Sequence, residues 1–276
     1  MSADANSLSE EALRHYQDGI ELPRLSHGSG PLEFARTQEL LVRHLPSAPA
    51  VVVDVGGGPG AYACWLSELG YTVHLLDPVP LHVEQALETS QRLRRSLASV
   101  TLGEARDLPF ESSAADAVLL FGPLYHLTDR EDRLKALREA FRILSPKAQV
   151  FAVGISRYAS VLDGLRSGYS DDSEFVRIYE QDLVDGQHRN PTNHPAYFTT
   201  AFFHHPAELK DELVASGFKH RATYGIEGPA WLLHDFSEQW NSPRRERLLA
   251  IARSVEQEPA LLGVSAHLLA VGTKSP

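Results

Sequence analysis

The chain has 276 residues, 43% of them hydrophobic and 22% charged, a balance that excludes a disordered or fibrous polypeptide. Its length fits one or two domains, and a net charge of −10 counts against a nucleic-acid partner, which needs a positive face. The single cysteine, Cys64, excludes a disulfide framework, a paired redox thiol and a thiolate metal cluster.

The acidic start, MSADANSLSEEAL, lacks the apolar core of a secretory signal. No later run approaches the roughly 18 residues of a membrane span, so a cytoplasmic protein is expected. The pattern predicts a first helix over 8–20, capped by Ser7 or Ser9, and a second over 32–45 after the break His27-Gly28-Ser29-Gly30-Pro31. Residues 50–55 (AVVVDV) are a β-branched run without alternation, as in a strand covered on both faces. A glycine turn, 56–60, leads into a helix ending near Gly70. A strand over 72–76 ends at Asp77, and a helix over 81–97 follows. Short strands are expected at 100–102 and 115–121, then a helix over 130–144 with Leu134, Leu137, Phe141 and Leu144 at helical spacing. Ser145-Pro146 stops it before a fifth strand, 149–154. Strands alternating with helices predict an α/β protein with a doubly wound, mostly parallel sheet.

After Gly154 the composition changes. Residues 155–205 hold eight aromatics (Tyr158, Tyr169, Phe175, Tyr179, Tyr197, Phe198, Phe202, Phe203) and four of the 13 histidines. That surplus predicts an insertion lining a cavity rather than another strand–helix unit. The regular pattern resumes with a helix over 206–216, a strand over 218–226, helical stretches at 231–240 and 243–256, and a last strand at 264–271.

The glycine turn carries the chemistry. Without a Cβ the backbone approaches a ligand closely, and two patterns overlap here. Gly56, Gly58 and Ala61 fit a dinucleotide turn, whereas Gly56, Gly58 and Gly60 after Asp54 fit the turn of an S-adenosylmethionine site. Asp77, at the end of the second strand, can accept hydrogen bonds from ribose hydroxyls in either case.

Neighbouring segments separate the two. Gly103-Glu104-Ala105-Arg106-Asp107-Leu108-Pro109-Phe110 resembles the G-D-A-x-x-L-P-F segment of class I S-adenosylmethionine-dependent methyltransferases of the small-molecule type. Asp116 to Leu127 is similar to that family's fourth strand and its exit, and Arg130 to Leu144 to its next helix. The resemblance spans 50–155. It implies a Rossmann-like, doubly wound, seven-stranded sheet with an N-terminal helical lid and an acceptor-binding cap insertion. The organisation it implies is a lid over 1–45, a cofactor-binding core over 46–154, the cap over 155–205, and a C-terminal part over 206–276 that completes the sheet and carries a helical cap stretch at 227–256. It further implies S-adenosylmethionine as cofactor, leaving as S-adenosylhomocysteine. The residues expected to hold it are Tyr16, Arg36, Asp54, Gly56, Gly58, Gly60, Asp77, Glu104, Ala105, Arg106, Asp107 and Phe121.

The chain departs from the family in places. Glu104 stands where Asp is usual, and Pro146-Lys147-Ala148 replaces Pro-Gly-Gly. Gly122-Pro123-Leu124-Tyr125 occupies the place of the Asn/Asp-Pro-Pro-Tyr/Phe signature of base-methylating enzymes, which weakens that function. Beyond 155 the likeness is looser, to bacterial enzymes of specialised metabolism, through 155–160 and 185–191.

Methyl transfer from a sulfonium is an in-line displacement, so the protein mainly orients two reactants and excludes water. His126, Tyr125 and Glu180 are the candidates for a direct role in that step. Tyr158, Phe175, Tyr179, Phe203, His204 and Trp231 are the expected acceptor walls. No spacing such as HExxH appears, so no metal is expected. Residues 155–205 carry four Arg and no Lys against seven acids, which favours a neutral or cationic aromatic acceptor over an anion, and the resemblance to enzymes of specialised metabolism implies an indole-like or phenolic one. A prenyl-diphosphate or amine acceptor is the alternative, as is a protein that binds the cofactor without catalysis. The expected partner is a small molecule, with neither nucleic acid nor membrane.

Overall fold

In the computed structural model, Tyr16, Gly19 and residues 21–276 are described. The helix expected over 8–20 otherwise lies outside them. Strand β1 (Val51–Val55) pairs in parallel with β2 (Thr72–Asp77) on one side and β4 (Ala115–Leu120) on the other. Strand β3 (Ser99–Leu102) extends β2, and β5 (Leu144–Ser156) extends β4. The last strand, β9 (His267–Lys274), runs antiparallel to β5, and β8 (Phe218–Gly225) runs antiparallel to β9. The chain thus winds from β1 toward β3 and then back through β4 toward β5. This reversal opens a crevice at the C-terminal ends of β1 and β4, where ligands of open α/β sheets bind.

The β-branched run 51–55 makes a central strand because both of its faces are covered. Val53 and Val55 pack with Leu120, Leu137 and Ile143, while Val52 packs on the other face with Leu40, Leu66 and Phe151. The helix Arg130–Ile143 starts at Asp129, whose carboxylate accepts from the amides of Glu131 (2.8 Å) and Asp132 (3.3 Å).

Several boundaries differ from the expectation for local reasons. The helix expected to run to residue 97 ends at Gln91, and the Ser90 hydroxyl accepts from Leu97 N (2.9 Å), turning the chain toward β3. Strand β5 starts at Leu144, five residues early, and passes Pro146 with a kink at Lys147 (φ 67°). The stretch expected as a helix from 231 divides into a short 3-10 turn, Gly228–Leu232, and a helix, Phe236–Trp240. Residues 155–205 are also more than loops and helices. Strand β6 (Gln187–His188) pairs with β7 (Ala201–His204), and β7 joins β5 through Ile155↔Phe203 and Ser156↔His204. Ile155 already pairs with His267 of β9, so β7 takes the β4 edge beyond the point where β4 ends. The sheet therefore has nine strands among the described residues, the expected seven plus this ribbon.

Candidate active site

A cavity of about 330 Å³ lies over the glycine turn at the ends of β1, β2 and β4. Gly56 has φ +69°, and a Cβ there would stand 2.7 Å from the Pro123 ring, so only glycine fits. Asp77 ties the turn together: its Oδ2 accepts from Gly58 N (2.8 Å), and its Oδ1 accepts from Val79 N (2.9 Å) and lies 3.0 Å from His82 Nδ1. Asp54 is fully buried, and neither of its oxygens has a hydrogen-bond partner. Burial and the neighbouring charge of Asp77 raise its pKa to about 7. Glu21 and Arg24, at the two ends of the short helix Glu21–Arg24, also line the cavity. Arg24 is spoken for, by Glu21 (2.8 Å) and by both oxygens of Glu33 (2.6 and 3.0 Å). The lining is acidic.

A second cavity of about 320 Å³ adjoins the first, and Tyr16, Glu21, Arg24 and Tyr125 line both. Its far wall is aromatic: Phe175, Tyr197, Phe198, Phe203 and Trp231, with His188 stacked on Phe203 at 4.7 Å. Phe198 is held with φ 62° and ψ 178°, a region almost reserved for glycine. The Asn190 amide enforces this by donating to the carbonyls of Phe198 (2.8 Å) and His194 (2.9 Å). At the junction the Tyr16 hydroxyl lies 2.7 Å from His126 Nε2. The Tyr125 hydroxyl donates to Phe121 O (2.7 Å), and burial pushes its pKa well up. Tyr125 is thus a wall and a donor, and a poor proton acceptor.

Residues 53–152 match the family model described as a methyltransferase domain. Uncharacterized methyltransferases of Mycobacterium bovis and Mycobacterium tuberculosis are each 31% identical over 115 residues, 41% of this chain and 43% of theirs. The match therefore spans less than half the length of these curated relatives. Residues 53–152 thus form a methyltransferase domain. Among solved structures, the 1,6-didemethyltoxoflavin-N1-methyltransferase of Burkholderia thailandensis, with its substrate and S-adenosylhomocysteine bound, is similar in fold (TM-score 0.57, 16% identity, 96% of this chain and 88% of that one). So is an S-adenosylmethionine-dependent methyltransferase of Mesorhizobium loti (0.59, 15%, 88% and 100%). The [4+2]-cyclase SpnF also shares the fold (0.56, 15%, 87% and 81%).

Within the methyltransferase domain, Asp54, Gly56, Gly58, Gly60, Asp77, Ala105 and Phe121 line the first cavity, as do Tyr16, Tyr125 and His126. Other expected cofactor contacts lie elsewhere. Arg36 is fully buried and pairs with Glu39 and Glu256, fastening the helix Gly30–His44 to the C-terminal part of the chain. Among the described residues, the arginine that lines the cavity is Arg24 instead. Glu104 pairs with Arg106 (2.7 Å), which also reaches Asp132 (2.9 Å), and Asp107 is exposed, so only Ala105 of that segment faces the cavity.

Of the acceptor residues expected, Phe175, Phe203 and Trp231 line the second cavity. Glu180 and Tyr179 do not, because the helix Ser173–Asp185 turns Phe175, Ile178 and Asp182 inward and leaves Glu180 in solvent. Tyr158 is 38% exposed and packs on His205. His204, the last residue of β7, is fully buried, 3.3 Å from Glu212, which also clasps Arg133 (2.8 Å), and burial lowers the pKa of the histidine. It is a fastening of the sheet edge.

Some residues escaped the sequence reading. Asp182 Oδ2 accepts from the Ser160 hydroxyl (2.5 Å) and lies 2.8 Å from His188 Nδ1, while His188 Nε2 meets Tyr197 O (2.7 Å). Only the helix phase, which sets Asp182 inward two residues past Glu180, could have found it. Glu33, Glu227 and His267 also converge, with ligand atoms within 4.8 Å of one another, although no local spacing announces them. The protein supplies their countercharge itself. Arg24 grips Glu33, and His267 sits 2.6 Å from Glu227; burial would lower the histidine pKa, but the two carboxylates outweigh it and raise it.

Proposed function

We propose that this protein transfers a methyl group from S-adenosylmethionine to a small aromatic acceptor that is neutral or cationic. The observation that carries the reading is the pair of adjoining cavities with a common wall of Tyr16, Glu21, Arg24 and Tyr125. A displacement needs its two reactants in line and in contact, and adjoining chambers supply that arrangement.

The first cavity fits the cofactor. Bound there, S-adenosylmethionine supplies an electrophilic methyl group on a positively charged sulfur. Asp54, Asp77 and Glu21 suit a cation, and they oppose the diphosphate of a dinucleotide. Asp77 suits ribose hydroxyls, and the glycine turn admits the nucleoside close to the backbone. Asp77→Ala is expected to cost about 1–3 kcal/mol of S-adenosylhomocysteine binding, through lost charge-assisted hydrogen bonds, as calorimetry will read.

The second cavity, walled by residues of the 155–205 segment and by Trp231, suits the acceptor. Five aromatic rings favour a planar or cationic molecule. A prenyl diphosphate would need free cations. Arg157 is paired with Glu208 (2.7 Å), Arg166 with Asp163 (3.7 Å) and Arg177 with Glu174 (2.6 Å), and Arg189 bonds Gln187 (2.6 Å). The charge favours an indole-like, phenolic or amine acceptor.

The test is incubation of the protein with methyl-labelled S-adenosylmethionine and an extract of its native source, read by mass spectrometry. Label in a small aromatic product supports the reading. Label on protein or RNA contradicts the acceptor class. Cofactor binding with no labelled product would mean a protein that keeps the fold without methyl transfer.

A further inference from the structure

His82 belongs to no expected set, yet it lines the first cavity beside Asp77. It sits in the first turn of the helix Pro80–Gln91, and the residue is 3% exposed. One nitrogen is committed: Nδ1 lies 3.0 Å from Asp77 Oδ1. A carboxylate oxygen accepts, so Nδ1 is the nitrogen that donates, and Nε2 is the one left to meet a ligand. Nε2 is buried and has no hydrogen-bond partner. A buried polar atom without a partner costs free energy, of the order of a lost hydrogen bond, unless a ligand completes it. Packing does not explain the choice of a histidine here. A leucine or phenylalanine would fill the place without stranding a polar atom.

Asp77 bears on what that ligand is. Three protein donors already converge on its carboxylate: Gly58 N, Val79 N and His82 Nδ1. A carboxylate has about four acceptor positions, which leaves room for about one more donor. A ribose brings two hydroxyls. We propose that His82 is a positioning residue for the cofactor, and that Asp77 and His82 Nε2 divide the ribose diol between them, one hydroxyl to each. The Tyr16 ring, edge-on to His82 at 5.2 Å, keeps the imidazole in place from the other side.

The inference rests on the proposed S-adenosylmethionine site, and its test keeps the two apart. Calorimetry is run with the full chain, S-adenosylhomocysteine, and its 2′-deoxy and 3′-deoxy ribose analogues, on the parent protein and His82→Phe. The parent is expected to bind S-adenosylhomocysteine; failure there overturns the proposed site itself. His82→Phe is expected to bind it about tenfold more weakly. The decisive readout is the analogue that lacks the hydroxyl facing His82, for which parent and variant should agree within about twofold. His82→Phe removes an unsatisfied nitrogen and retains a planar ring, so thermal melting should show a folded protein. His82→Asn, which offers an amide instead, serves the same comparison if the phenylalanine variant fails to fold. An equal loss of affinity for all three ligands would make His82 a structural residue and overturn the proposal. Unchanged binding of S-adenosylhomocysteine would overturn it as well.

Discussion

Asp54→Asn is expected to raise the melting temperature of the ligand-free protein at about pH 8, to change it little at about pH 4, and to weaken S-adenosylmethionine binding about tenfold or more. Burial and the charge of Asp77 hold the Asp54 carboxyl at a pKa of about 7, against roughly 3.9 in an unfolded chain. Between those values the folded protein binds more protons than the unfolded one, so stability falls as pH rises through the window. The full span corresponds to about 4 kcal/mol. Asparagine carries no such proton, so its advantage grows with pH and levels off above about pH 7. The same substitution removes the negative charge that favours a cationic ligand, which is why affinity should fall as stability rises. Scanning calorimetry across the pH range, with titration of the cofactor, checks both halves. A gain independent of pH would mean that Asp54 does not titrate in that window.

Phe175→Ala is expected to cost about 3–5 kcal/mol, because Phe175 is 2% exposed and packs with Ile178 and Tyr197. It would therefore impair the acceptor wall and the stability of its surroundings together. Phe198→Gly should separate the two. Glycine is at home at φ 62° and ψ 178°, where a bulky side chain stores about 1–3 kcal/mol of strain. Relief of that strain offsets part of the lost packing, so the destabilisation should be clearly smaller than for Phe175→Ala. Formation of the labelled product should nevertheless fall about tenfold or more, with S-adenosylhomocysteine affinity within about twofold of the parent. Urea denaturation and calorimetry measure these. Equal destabilisation by both substitutions, or loss of S-adenosylhomocysteine affinity in Phe198→Gly, would contradict the assignment of this wall to the acceptor.

These substitutions also mark where the sequence was readable. The strands β1, β2 and β4 and the glycine turn are local features. A β-branched run, a turn that only glycine can make and a carboxylate closing the next strand each follow from a few adjacent residues. The acceptor side depends on contacts between distant segments. The ribbon of β6 and β7 forms because β5 outruns β4 and leaves an edge to be paired, a fact invisible in either strand alone. Helix phase decided between Glu180 and Asp182, and a one-residue error in that phase exchanges solvent for core. Arg36 misled for a related reason. An arginine on an N-terminal helix looks available to a carboxylate ligand, and only the distant Glu256 reveals that it is already used.

Charge gives the most direct test of the central claim, that an acid-lined glycine turn takes a cationic nucleoside donor and presents it to an aromatic chamber. Isothermal titration of the purified protein with S-adenosylmethionine, S-adenosylhomocysteine and NAD separates the ligand classes in one experiment. The account predicts saturable binding of the first two, weakened by Asp77→Ala, and no heat of binding with NAD. Saturable NAD binding with no response to either S-adenosyl compound would contradict it.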